Sequence, residues 1–117
     1  MKDCLVIINS YNEEACKLYS SLELFLEKHK IKAKKFLYFG SKSEFQDYNK
    51  DVLNIEKHHY DFAITLGGDG TVLFASRFCA PYGIPVFSIN FGQFGFIAGI
   101  QVEKWQEDLQ LFLEGKS

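Results

Sequence analysis

Residues 4–8 (Cys4-Leu5-Val6-Ile7-Ile8) form a short unbroken apolar run rich in β-branched side chains, the pattern of a strand buried on both faces. It stops at Asn9-Ser10. Ser10 with Glu13 has capping-box spacing, and Ala15, Leu18, Leu22, Phe25 and Leu26 then recur at helical intervals as far as His29. An amphipathic helix is predicted there. Residues 35–39 (KFLYF) read as a second strand closed by Gly40, and the polar stretch 41–57, with Phe45, Tyr48 and Val52, reads as a weak helix or an ordered loop. Residues 61–66 (DFAITL) give the clearest internal strand, which runs into Gly67-Gly68-Asp69-Gly70-Thr71. A helix is predicted over 72–80, stopping before Pro81 and Gly83, then a fourth strand over 85–89 (PVFSI). A last helix over 103–114 places Trp105, Leu109, Phe112 and Leu113 on one face, with Gly115 as its cap. The order β-α-β-(α)-β-α-β predicts the α/β class: an open, mostly parallel sheet of four strands with helices on both faces.

Composition narrows the reading without redirecting it. A chain of 117 residues is expected to be a single domain, 1–117, and 47% hydrophobic with 24% charged residues is ordinary for a soluble globular protein. The net charge of −2 supplies no general affinity for nucleic acid or for an anionic membrane. Three cysteines without CxxC spacing argue against a disulfide framework and a zinc site, so a reducing cytoplasm is expected. The apolar run at the start is far shorter than a secretory or membrane-spanning segment. Twelve Phe and six Tyr are read mainly as core material.

The candidate chemistry lies where two strands end. In open parallel sheets ligands bind beyond the carboxyl ends of the strands. Gly67-Gly68-Asp69-Gly70 follows the third predicted strand and Gly92-Gln93-Phe94-Gly95 the fourth, so both loops should open onto one edge. Glycines let main-chain N–H groups approach a ligand closely and a following helix adds its positive end, which suits phosphate. The spacing is not that of a dinucleotide-fold GxGxxG, which would need glycine at Leu73, nor of a P-loop, which would need a following lysine. Asp69 is the informative oddity: a carboxylate beside phosphate implies a metal ion between them or acceptance of a hydroxyl proton, as phosphoryl transfer requires. The plain structural alternative is that Asp69 caps the helix that follows.

The segment Tyr60-Asp61-Phe62-Ala63-Ile64-Thr65-Leu66-Gly67-Gly68-Asp69-Gly70-Thr71-Val72-Leu73 resembles the signature of the NAD kinase family, in which a hydrophobic strand delivers a GGDGT loop into a helix. Lipid kinases and phosphofructokinases carry similar loops, but Asn90-x-Gly92-x-x-Gly95-Phe96-Ile97 is similar to the NAD kinase NxGxxGF segment. The resemblance covers nearly the whole chain as the family's N-terminal α/β domain. It implies phosphoryl transfer from ATP, or polyphosphate, to the 2′-hydroxyl of the adenosine ribose of NAD, giving NADP. It makes Asp69 the catalytic candidate, with Gly67, Gly68, Gly70 and Thr71 shaping the phosphate turn, Asn90, Gly92 and Phe96 lining the nucleotide side, and Mg²⁺ balancing phosphate charge. The family's β-rich C-terminal domain, with its Asn-Asp/Glu pair for the ribose, has no counterpart here. The chain is therefore expected to be an N-terminal domain that does not turn over alone, and the homo-oligomers usual in the family are expected to form largely through the other domain.

The lesser candidates carry little. His58-His59 are adjacent and point apart, which disfavours shared metal ligation, and Cys79 reads as a buried inert thiol. Gly92-Gln93-Phe94-Gly95 fits a GxxG RNA clamp but lacks a basic flank, while Lys30, Lys32, Lys34 and Lys35 read as a solvated helix end and loop. Phe91, Phe94 and Phe96 are read as core before base-stacking. A non-catalytic nucleotide-binding or dimerisation module of the same fold is the alternative function.

Overall fold

A computed structural model describes residues 3–40, 59–91 and 100–115. The first apolar run is strand β1 (Asp3–Asn9). Helix α1 (Glu13–Lys28) follows, but its cap is Asn12 and not Ser10: the Asn12 side chain accepts from Ala15 N–H at 3.0 Å. The reason lies in the preceding turn, where the Asn9 carbonyl accepts from Asn12 N–H at 3.1 Å and carries the chain past Ser10 before the helix can start. Glu13 and Glu14 in the first turn and Lys28 in the last complement the helix dipole. Strand β2 (Lys32–Tyr38) begins earlier than the apolar pattern indicated. It is an edge strand paired with β1 from Asp3↔Lys32 to Asn9↔Tyr38, so main-chain bonding sets its start while Lys32, Lys34 and Lys35 keep the edge charged.

Strand β3 (Phe62–Gly67) is buried throughout. Helix α2 (Asp69–Cys79) opens at Asp69, ahead of the predicted start at Val72, because the turn glycines adopt ordinary helical or extended conformations and leave the helix free to begin at once. A 3₁₀ turn (Ala80–Tyr82) and Gly83, in the left-handed region at φ 66°, end it before strand β4 (Val86–Asn90). A fifth strand, β5 (Ile100–Gln101), was not expected; two residues carry no period, and it exists through the pairings Ile89↔Ile100 and Asn90↔Gln101. A 3₁₀ turn (Val102–Lys104) leads into helix α3 (Trp105–Leu113), and Gly115, at φ 75°, donates its N–H to Phe112 O at 3.0 Å as the expected cap. The stretch 41–57 lies outside the described residues.

The strands lie in the order β2-β1-β3-β4-β5, and every pair is parallel. The α/β class with helices on both faces is thus observed, with one strand more than the sequence pattern revealed. Alternation along the strands divides the core. Cys4, Val6, Ile8, Phe62, Ile64, Leu66, Phe87 and Ile89 meet Ala15, Tyr19, Leu22 and Leu26 of α1 and Trp105 and Leu109 of α3. Leu5, Ile7, Phe36 and Ala63 face the other way, against Phe74, Ala75, Phe78 and Cys79 of α2. The aromatic content is largely accounted for here: Phe74 stacks on Phe36 at 5.9 Å and lies 6.1 Å from Phe78.

Candidate functional site

Strand order places the site. From β1 the chain passes through α1 outward to β2, whereas from β3 it passes through α2 to β4 on the other side, so β1 and β3 are the neighbours at which the winding reverses. Helices α1 and α2 leave these two strands toward opposite faces of the sheet. The loops between strand and helix diverge beyond the carboxyl ends of β1 and β3, where open parallel sheets take their ligands. The glycine turn lies at the end of β3 there, and Asn9-Ser10 at the end of β1.

The three glycines of the turn differ in their surroundings. A Cβ on Gly67 would lie 2.5 Å from Thr71 Oγ1 and 3.0 Å from Asn9 Cβ, so glycine is required there for close packing. Cβ atoms on Gly68 or Gly70 would meet nothing within 4 Å among the described residues, and neither glycine is in the left-handed region. The described residues and the backbone conformation therefore give no reason for glycine at these two positions. Gly68 is the cap residue of α2 and, lacking a side chain, leaves the first-turn N–H groups without a side-chain cap. Asp69 is the first helical residue, one position inside the Gly68 cap, and is half-buried. Thr71 is 1% exposed, and its hydroxyl has no hydrogen-bond partner among the described residues.

The end of β4 joins the same edge. Asn90 is registered opposite Gly67, and Phe91 N–H donates to Gly67 O at 2.9 Å, locking the start of the second glycine segment to the first. Phe91 packs partly into the core, as expected of it. Gly92 and Phe96 lie outside the described residues, as does Phe94. Sequence reasoning missed Asn9: it ends β1, its side chain stands against Gly67, and its Oδ1 accepts from Tyr11 N–H at 3.0 Å. The available signal was an Asn-Ser pair directly after a buried strand, the place where a parallel sheet puts its ligands.

Elsewhere the sequence candidates resolve simply. His59, largely exposed, lies 3.3 Å from Asp61, whose other oxygen accepts from Asp3 N–H at 2.9 Å. Among the described residues no group of three or more His, Cys, Asp or Glu could hold a metal ion, and no helix is long and apolar enough to cross a membrane. Cys79 is buried, and burial pushes its thiol up to about 11, which makes it inert near neutrality.

An all-parallel sheet whose winding reverses between β1 and β3 defines the doubly wound α/β class. Residues 4–117 match the model of the ATP-NAD kinase N-terminal domain, and the chain belongs to that family. It is 41% identical over 116 residues to an NAD kinase of Treponema denticola, covering 99% of this chain and 38% of that protein. Similarity to an NAD kinase of Treponema pallidum is 36% over 111 residues, covering 95% and 33% of the two chains. A Thermoanaerobacter NAD kinase is 31% identical over 116 residues, covering 99% of this chain and 41% of the relative. The chain thus spans between 33% and 41% of the length of these relatives.

Proposed function

We propose that this domain belongs to an NAD kinase that transfers the terminal phosphoryl group of ATP, or of polyphosphate, to the 2′-hydroxyl of the adenosine ribose of NAD. The observation that carries the reading, beside family membership, is the pair Gly68 and Gly70 flanking Asp69: glycines for which the described residues supply no packing or conformational reason, beside a carboxylate, at the carboxyl edge of the sheet. Bare main chain and uncapped N–H groups at the start of an 11-residue helix suit phosphate oxygens. Asp69 accepts the proton of the 2′-hydroxyl as its oxygen bonds to phosphorus, while the bond from phosphorus to the bridging oxygen breaks and ADP leaves with that electron pair.

Thr71 and Gly67 hold the turn in shape, and Asn90, Gly92 and Phe96 border the nucleotide. Asp69 is the carboxylate that would face a Mg²⁺ ion carried by the donor phosphates, which would offset their charge; a single carboxylate beside an open phosphate cradle fits a cation that takes most of its ligands from phosphate and water. The remaining ribose contacts come from the C-terminal domain that the family adds, through which subunits also assemble. Three cysteines without CxxC spacing suit a cytoplasmic location.

The test is NADP formation from NAD, ATP and Mg²⁺ by the full protein, read with an NADP-specific dehydrogenase. Asp69→Asn should lower kcat at least about a hundredfold, the scale of lost acid–base catalysis, with NAD still bound. Unchanged turnover in Asp69→Asn removes Asp69 from the chemistry. Binding of NAD with no turnover by the wild-type protein favours the non-catalytic nucleotide-binding module.

A further inference from the structure

We propose that Asn9, the last residue of β1, is a second wall of the phosphate site and donates its side-chain amide to the terminal phosphate of the phosphoryl donor. Placement comes first. The register Ile8↔Leu66 brings the ends of β1 and β3 level, and Asn9 Cβ stands 3.0 Å from the point where a Gly67 side chain would begin. Asn9 thus packs directly on the glycine turn at the winding reversal, the position where parallel sheets of this kind take their ligands.

Its chemistry is fixed by its own turn. A main-chain N–H can only donate, so the atom that receives Tyr11 N–H at 3.0 Å is the Asn9 oxygen. The amide is thereby oriented, and its NH₂ group, a donor of two hydrogens, has no partner among the described residues. A further group points to a ligand there. The Thr71 hydroxyl, on a residue 1% exposed and directed at the Gly67–Asn9 junction, is unpartnered among the described residues. Buried polar atoms are ordinarily satisfied. An unsatisfied hydroxyl and an amide donor beside bare glycine main chain suit an oxyanion with several acceptor oxygens, held by neutral donors as a phosphate is held at a helix start.

The inference rests on the kinase reading and identifies the donor side of that same site. It is tested on the full protein with Asn9→Asp, a change of nearly the same shape that keeps the oxygen for Tyr11 N–H but replaces the donor by a repelling carboxylate. KM for ATP should rise at least about tenfold, the scale of a hydrogen bond to a charged group, while KM for NAD changes less than about twofold. A purely structural Asn9 predicts instead equal KM for ATP in Asn9→Asp, and that result overturns the proposal while leaving the kinase reading intact. If Asn9→Asp does not fold by circular dichroism, Asn9→Ser, with a hydroxyl that still accepts from Tyr11 N–H but has shorter reach, is read in the same way. Should the wild-type protein form no NADP, the kinase reading fails by itself. Asn9 is then judged by calorimetric binding of inorganic tripolyphosphate: weakening at least about tenfold in the variant sustains the phosphate site, and equal binding or none to either protein overturns it.

Discussion

Gly67, Gly68 and Gly70 share one turn but answer to different demands. Gly67 lets Thr71 and Asn9 pack against main chain, and a methyl there would sit 2.5 Å from Thr71 Oγ1. Gly67→Ala should therefore cost about 1–3 kcal/mol, the range for forcing extra volume into a packed site, as read by urea denaturation. Gly68→Ala and Gly70→Ala should shift stability by less than about 1 kcal/mol, with Gly70→Ala, inside a helix, on the stabilising side. Both should nonetheless raise KM for the phosphoryl donor, because the added methyl groups occupy space that the fold leaves open. A loss of stability equal to that of Gly67→Ala would remove the ligand as the reason for those glycines. Asp69 is legible in sequence because a carboxylate among glycines is chemically odd. Asn9 is less so: its only local mark is its place at the end of a buried strand, and strand register alone sets it beside Gly67.

Caps and edges decide where elements begin. Asn12, not Ser10, satisfies the first turn of α1, so Asn12→Ala should lower stability by about 1 kcal/mol. Ser10→Ala should be close to neutral, because its hydroxyl has no partner among the described residues to lose. Thermal melts of the two variants separate the capping sites: an equal drop in both would restore the Ser10 cap. The apolar runs of β1 and β3 announce themselves because both faces are covered. Strand β2 starts among lysines and β5 has two residues, and both are defined by main-chain pairing that no local pattern encodes.

Burial of ionisable groups gives the molecule an alkaline limit. Burial, helped by the neighbouring Glu23, pushes Tyr19 up to about 12, burial pushes Cys79 up from 9.0 to about 11, and burial also raises Cys4. Folding favours the neutral forms, so their contribution is complete below the unfolded values and is lost as pH climbs through the folded ones. The urea midpoint should fall between about pH 9 and about pH 11, and a flat profile over that window would contradict the burial of these groups. In the folded protein at about pH 8, a thiol reagent should label the exposed Cys16 alone, with Cys4 and Cys79 following only on unfolding.

The sequence by itself determined the α/β class, the alternation of strands with helices and the Gly67–Thr71 turn, because periodicity and glycine spacing are local properties written along the chain. Tertiary structure decided the strand order, and with it the winding reversal at β1 and β3, which adds the end of β1 to a site otherwise bounded by the two glycine segments. It also decided which glycines the packing requires and that Asn9 faces them. Those facts depend on which strands lie side by side and in what register, and pairing joins residues far apart in the chain.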